Sequence, residues 1–216
     1  MKIPGLALAC AALLCLCPVS HAGDSEDLIR AAWKGDISTV RALLAKGTDV
    51  NSKITYGATA LQYASERGYI EVVKILLEKG ADVNSKTDNG VTSLMQASQN
   101  GHLDVVEALL EKKADPDAKA NDDGTNALIW ASQYGYLDIV EALIDKGVDV
   151  NAKANNGATA LIAASNNGHL EVVKALLAKD ADVDAKVIDG ESAYSLAKGK
   201  KYTEIEQLLI KAGAKK

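Results

Sequence analysis

The chain reads as an all-α repeat solenoid of six stacked helix-turn-helix units. Three observations carry that reading: a fixed period, letters that return with it, and apolar positions at helical spacing inside each copy. Leu28, Leu61, Leu94, Leu128, Leu161 and Tyr194 recur at steps of 33, 33, 34, 33 and 33 residues. Around these anchors stand TALQYASERGY from Thr59, TSLMQASQNGH from Thr92, NALIWASQYGY from Asn126 and TALIAASNNGH from Thr159. Each is followed by an apolar stretch whose clearest copy is EVVKILLEKGADVN.

Each copy opens with a short helix. In TALQYASERG, Thr59 is placed to cap it, and Leu61 with Ala64, three apart on one face, gives it a seam of small residues. A second helix begins near Glu71, where Val72, Val73, Leu76 and Leu77 form an apolar stripe. Acids recur at its start (Glu71, Asp104, Asp138, Glu171, Glu204) and lysines in its last turn (Lys46, Lys79, Lys112, Lys146, Lys179), each complementing the helix dipole. Glycine closes it at Gly47, Gly80, Gly147 and Gly213, as a left-handed C-terminal position requires, but Lys113 and Asp180 occupy that place in two copies. Between copies, Asn89-Gly90, Asp123-Gly124, Asn156-Gly157 and Asp189-Gly190 mark the tips of projecting loops or hairpins. The 34-residue step puts its extra residue near Asn121-Asp122-Asp123 and predicts a longer finger there. No single copy can bury its apolar face alone, so the stack shares one elongated core and its atypical ends act as caps.

These letters resemble the ankyrin repeat, whose signature runs T-P-L-H-x-A, then G-H, then V-V-x-x-L-L and G-A-D-V-N. The resemblance extends from Asp24 to the C-terminus. It implies helix-turn-helix units with β-hairpin or loop fingers. The expected division is an N-terminal cap at 23–57, internal repeats at 58–90, 91–124, 125–157 and 158–190, and a C-terminal cap at 191–216. The chain departs at two family positions: the Pro is Ala or Ser, and the His is Gln62, Met95, Ile129, Ile162 or Ser195. That departure bears on the inter-repeat hydrogen bonds usually assigned to this His, not on the fold.

Residues 1–22 read as a cleavable signal peptide: Lys2 at the start, an apolar run from Leu6 to Leu16, and Ser20-His21-Ala22 as a small-x-small cleavage site. The run is too short for a membrane anchor, which takes roughly 20 apolar residues. The mature chain is expected to begin at Gly23, in the periplasm or outside the cell. All three cysteines (Cys10, Cys15, Cys17) lie in this segment, so the mature protein has neither disulfide nor thiol chemistry. A lipidated cysteine is the rival arrangement; neither Cys10, with Ala7 three residues before it, nor Cys17, preceded by Leu16, has the favoured neighbours. Without Lys2, 23 of the 24 basic residues remain against 29 acidic ones, a net charge of −6. That disfavours nucleic acid and anionic membranes as partners. The lysines at 198, 200, 201, 211, 215 and 216 read as the solvated covering of the last repeat.

Candidates for catalysis are few. His102 and His169 occupy the same slot two copies apart, about 20 Å at ~10 Å per helix layer, too far to share a metal. Ser195-Leu196-Ala197-Lys198 fits S-x-x-K without the partner motifs that pattern needs. Asp122 and Asp123 could hold a cation weakly, though a solvated turn explains them. The carboxylate ladder Asp49, Asp82, Asp115, Asp149 and Asp182, beside Asn51, Asn84, Asp117, Asn151 and Asp184, recurs once per repeat and reads as structural, bonding finger bases to their neighbours. No catalytic residue, cofactor or metal site is expected.

The resemblance implies binding through the finger tips and the exposed ends of the first helices, which line a concave groove. Carried over copy by copy, the helix positions are Trp33 and Lys34, Glu66 and Arg67, Gln99 and Asn100, Gln133 and Tyr134, Asn166 and Asn167. The tip positions are Thr55 and Tyr56, Asp88 and Asn89, Asp122 and Asp123, Asn155 and Asn156. They vary while scaffold letters stay, and in a chain without Phe and with two Trp they collect Trp33, Tyr56, Arg67 and Tyr134, residue types that dominate interface energy. Trp130 reads as core. The expectation is a monomeric, non-catalytic module that binds a folded protein. The alternatives are an inhibitor or immunity protein for an exported enzyme or toxin, and an enzyme using the ladder or Ser195.

Overall fold

The computed structural model describes residues 22–215. The expected export segment, its three cysteines and Lys216 lie outside the described residues. Six helix pairs follow one another: α1 (Ala22–Lys34) with α2 (Ile37–Ala45), α3 (Ala60–Arg67) with α4 (Ile70–Glu78), α5 (Ser93–Asn100) with α6 (Leu103–Glu111), α7 (Ala127–Tyr134) with α8 (Leu137–Asp145), α9 (Ala160–Asn167) with α10 (Leu170–Leu177), and α11 (Ala193–Gly199) with α12 (Thr203–Lys211). Each first helix packs on the first helix of the next pair, and each second helix on the next second helix. The result is the all-α solenoid that the period predicts.

Capping sets the start of the first helices. The side-chain oxygens of Thr59, Thr92, Asn126, Thr159 and Ser192 each accept from the backbone N–H three residues on. Such a cap stabilises by about 1 kcal/mol. At the far end, Gly68 turns left-handed (φ 74°), and the His102 ring of the next repeat lies against it. A β-carbon at Gly68 would fall 2.5 Å from His102 Nδ1, so both the backbone and the ring require glycine. Tyr69, Tyr136, His169 and Tyr202 make the same contact one repeat along from Gly35, Gly101, Gly135 and Gly168.

The leucine anchors Leu28, Leu61, Leu94, Leu128 and Leu161 are buried, in one continuous core that runs through all six pairs. Full burial of each stabilises by about 1.5–3 kcal/mol. On α4, Val72, Val73 and Leu76 are buried as the stripe predicts; Ile75 joins them while Leu77 is half-buried. The second helix has neighbours on both sides, so its buried face is broader than the stripe. The acids stand in the first turns as expected, but Lys46, Lys79, Lys112 and Lys146 are the C-cap residues themselves and Lys179 lies one beyond its cap, slightly later than the spacing places them.

After the second helices, Gly47, Gly80, Gly147 and Gly213 take φ of 83–102°. Lys113 and Asp180 adopt the same left-handed backbone, at φ 65° and 59°. The fingers are turns, and the one isolated bridge among the described residues joins Lys186 and Ser192. Of the two forms expected, the loop is therefore the one built. The amides of Gly57, Gly90, Gly157 and Gly190 bond to carbonyls three residues back, whereas Gly124 bonds four back to Ala120. The extra residue thus sits in that third turn. Neighbouring tips are joined by single backbone bonds: Asp88 to Tyr56, Asn121 to Asn89, Asn155 to Asp123 and Ile188 to Asn156, at 2.8–3.0 Å.

The polar ladder divides into two roles. Asp49, Asp82, Asp115, Asp149 and Asp182 each accept from the amide two residues on, within their own turn. The inter-repeat bonds come from the companion position: Asn51 accepts from Asp82 N–H and donates to Gly80 O, and Asn84 and Asn151 do the same one and three repeats later. Asp117 accepts from Asp149 N–H and has no hydrogen to donate to Gly147. At the absent family His, Gln62 restores part of the network by bonding Thr59 N–H, Ser85 O and Val91 O. Met95, Ile129 and Ile162 pack as apolar residues instead.

Candidate protein-binding groove

The fingers and the first helices bound a groove; two of its depressions hold residues expected to bind, and a third, about 730 Å³ at the fifth finger and α11, holds none of them. The N-terminal one, about 460 Å³, is lined by Glu26, Ile29, Arg30, Trp33, Ile54 and Tyr63. Trp33 is 45% exposed, and the Arg67 guanidinium lies over its ring, 5.3 Å from the centroid. That cation–π stack holds two long side chains in place before any partner arrives, which lowers the entropy cost of binding.

The second depression, about 640 Å³, lies between the third and fourth fingers over α7 and α9. Asp122, Asp123, Gln133, Asn166 and Asn167 meet there, as the copy-by-copy reading implies, and Trp130 forms part of the wall. Tyr134 stacks on Trp130 (6.1 Å between centroids) and on Tyr136 (6.2 Å). The aromatic patch expected around Trp33, Tyr56, Arg67 and Tyr134 is therefore two clusters. Trp33 and Tyr134 are three repeats apart, about 30 Å at ~10 Å per layer. Tyr56 stands at the first finger tip, 77% exposed with a left-handed φ of 65°. Lys34, Tyr56, Glu66, Arg67, Gln99, Asn100 and Tyr134 line neither depression; Lys34, Arg67, Asn100 and Tyr134 are exposed, Glu66 and Gln99 half-buried.

Two features escape the sequence reading. Trp130 packs on the core and also faces the groove, so it is both scaffold and surface. Ile188, at the fifth finger tip, is 78% exposed. A signal for Trp130 was present: its register holds Tyr63, Gln96, Trp130, Ala163 and Leu196, a variable position directly before an alanine that recurs in all five copies.

The reactive candidates have structural employment. His102 and His169 place Nε2 3.0 Å from the carbonyls of Glu66 and Gln133. A carbonyl only accepts, so Nε2 carries the proton in both. Ser195 Oγ bonds to Glu191 and Ser192, while Lys198 Nζ lies over the Tyr194 ring at 5.4 Å. Among the described residues no group of three or more His, Cys, Asp or Glu is arranged to hold a metal ion, and no helix is long and apolar enough to cross a membrane.

The stacked pairs, their caps and the finger groove define a helical repeat scaffold with a binding surface on one side. The family model described as "Ankyrin repeats (3 copies)" matches residues 28–120, 117–187 and 152–216, and the chain belongs to the ankyrin repeat family. Ankyrin repeats are generally protein–protein interaction modules. No curated protein matches the chain.

Proposed function

We propose that the chain is an exported, non-catalytic adaptor that binds a folded protein in the periplasm or outside the cell. The observation that carries this reading is the preformed Trp33–Arg67 stack at the edge of an open depression, beside Tyr63 and Ile54. An exposed Trp held under a guanidinium is a costly surface for a protein with no use for it, and Trp and Arg are typical interface hot spots. The Tyr134–Trp130 cluster provides a second anchor along the same groove. An interface covering both has room for the usual size of about 800 Å² per partner.

The test is affinity capture from the cell envelope with wild-type protein and with Trp33→Ala/Tyr134→Ala. The double substitution is expected to cost more than about 2 kcal/mol in binding to the captured partner. Both side chains are near half exposed, so the melting temperature is expected to stay put. Undiminished binding by the double variant overturns the site. Export is tested by cell fractionation with mass spectrometry of the N-terminus, expected at Gly23; a cytoplasmic chain retaining residues 1–22 overturns it.

A further inference from the structure

The trough between the third and fourth fingers differs in kind from the N-terminal depression. Its floor exists because Ala163 occupies the register that holds Tyr63, Gln96, Trp130 and Leu196 in other repeats. With Ile129, Ala154 and Ala158, Ala163 forms a small apolar patch separate from the main core, walled by Trp130 and Leu196. The space left by one missing large side chain suits one large side chain supplied from outside.

Above that floor stand two half-buried carboxamides, Gln133 and Asn166, whose side chains make no hydrogen bond within the described chain. Their neighbours are engaged: Asn155 donates to Asp122 O, Asn156 accepts from Ala158 N–H and Asn167 donates to Ala163 O. A carboxamide offers a donor and an acceptor together, the same pair that a peptide unit presents. Gln133 and Asn166 are one repeat apart, about 8–10 Å for packed helices, and three residues of extended chain span about 10 Å. A peptide in the extended polyproline II conformation repeats its face every three residues, about 9 Å, and so meets one amide per turn as it runs along the groove.

Charge selects further. The trough lining holds Asp122 and Asp123 and no Lys or Arg, and among the described residues no ion pair reaches either carboxylate. The N-terminal depression instead is lined by one charge of each sign, Glu26 and Arg30, with Arg67 stacked on its Trp33. We infer that the trough is a subsite for an extended segment of the protein partner, bearing a bulky apolar side chain next to a lysine or arginine. The apolar side chain enters over Ala163, the backbone pairs with Gln133 and Asn166, and the cation faces Asp122 and Asp123. This rests on the groove being the binding face, and it adds the chemistry of what the groove takes. An oligosaccharide, which would stack on Trp130 and use the same amides, has neither the apolar branch for the floor nor the cation for the rim.

The two tryptophans make the test site-specific, because Trp33 and Trp130 give separate indole N–H signals, one per depression. The 15N-labelled protein is titrated with end-blocked Gly-Ser-Gly-Leu-Lys-Gly-Ser-Gly, with its Leu→Ala and Lys→Glu versions, and with chitohexaose. The parent peptide is expected to move the Trp130 signal and leave Trp33 in place. Each altered peptide is expected to bind about tenfold more weakly or worse. The variant Ala163→Gln fills the floor with the residue native to that register at Gln96, so it keeps the fold, and it is expected to abolish the Trp130 shift. A silent Trp130, a shift that survives Ala163→Gln, or a response to chitohexaose alone overturns the subsite. Loss of partner capture in Trp33→Ala with Trp130 silent to the peptides leaves the groove reading standing and removes only this inference.

Discussion

Lys113 and Asp180 hold a left-handed backbone at the position where four other repeats carry glycine. Bonds on both sides hold that geometry: Ala114 and Ala181 N–H close the helix ends on Leu109 O and Leu176 O, and the carbonyls of Lys113 and Asp180 accept from Asn84 and Asn151 of the preceding repeat at 3.3 and 3.2 Å. Replacing either by glycine removes a left-handed penalty of about 1–2 kcal/mol. It also adds about 0.4–1 kcal/mol of chain entropy to the unfolded state. The expected net is a stabilisation of roughly 1 kcal/mol for each of Lys113→Gly and Asp180→Gly. In a chain of this size that raises Tm by about 2–4 °C. The mirror experiment is Gly147→Ala, where an added β-carbon meets nothing within 4 Å, so its cost is conformational rather than steric. Thermal and urea unfolding of the three variants measures both signs. A fall in Tm for both glycine variants refutes the reasoning, as does a neutral Gly147→Ala.

Further expectations follow from the same structure. Lys201, at φ 62° in the slot that is glycine in the other repeats, is expected to gain stability as Lys201→Gly, by roughly 1 kcal/mol on the same argument, read by urea unfolding. Asp117→Asn supplies the amide donor that Asn51, Asn84 and Asn151 use, and is expected to add about 0.5 kcal/mol, at the low end for an exposed bond; an unchanged urea midpoint would count against it. Ser65, Ser98, Ser132 and Ser165 bury hydroxyls that make no hydrogen bond among the described residues, at the register of Ala32 in the first repeat, so each Ser→Ala is expected to stabilise by about 1 kcal/mol in denaturant titrations. Asp36 caps α2; the Thr39 hydroxyl, the Thr39 amide and the Ser38 hydroxyl hold its carboxyl down from 3.8 to about 2. Its folded value lies below the unfolded one, so its contribution is complete above about pH 4 and is lost as pH falls toward 2; Asp36→Asn, which keeps a cap without the titration, is expected to flatten that part of a Tm-versus-pH curve.

Legibility differed between scaffold and site for a physical reason. A repeat writes the same local problem six times, so caps, the leucine anchors, closing glycines and the extra residue near Asp123 each showed themselves by recurrence or by a break in it. The left-handed backbone at Lys113 and Asp180 was readable for that reason alone. The site is written in the positions that do not recur, and a letter there says only that it varies. Gln62 was legible as a missing His but not as a residue that bonds across to Ser85 and Val91. Trp130 looked like core because its helix neighbours are buried.

The sequence by itself determined the architecture: the period, the apolar register and the turn residues leave one way to bury every copy, by stacking on the next. The tertiary structure decided which variable side chains share a surface. It separated Tyr134 from Trp33, joined Arg67 to Trp33, brought Asp122, Gln133 and Asn166 around the gap over Ala163, and left Lys34 and Gln99 outside both depressions. Those groupings depend on how fingers and helices of different repeats face one another, a distance in space that spacing along the chain does not encode.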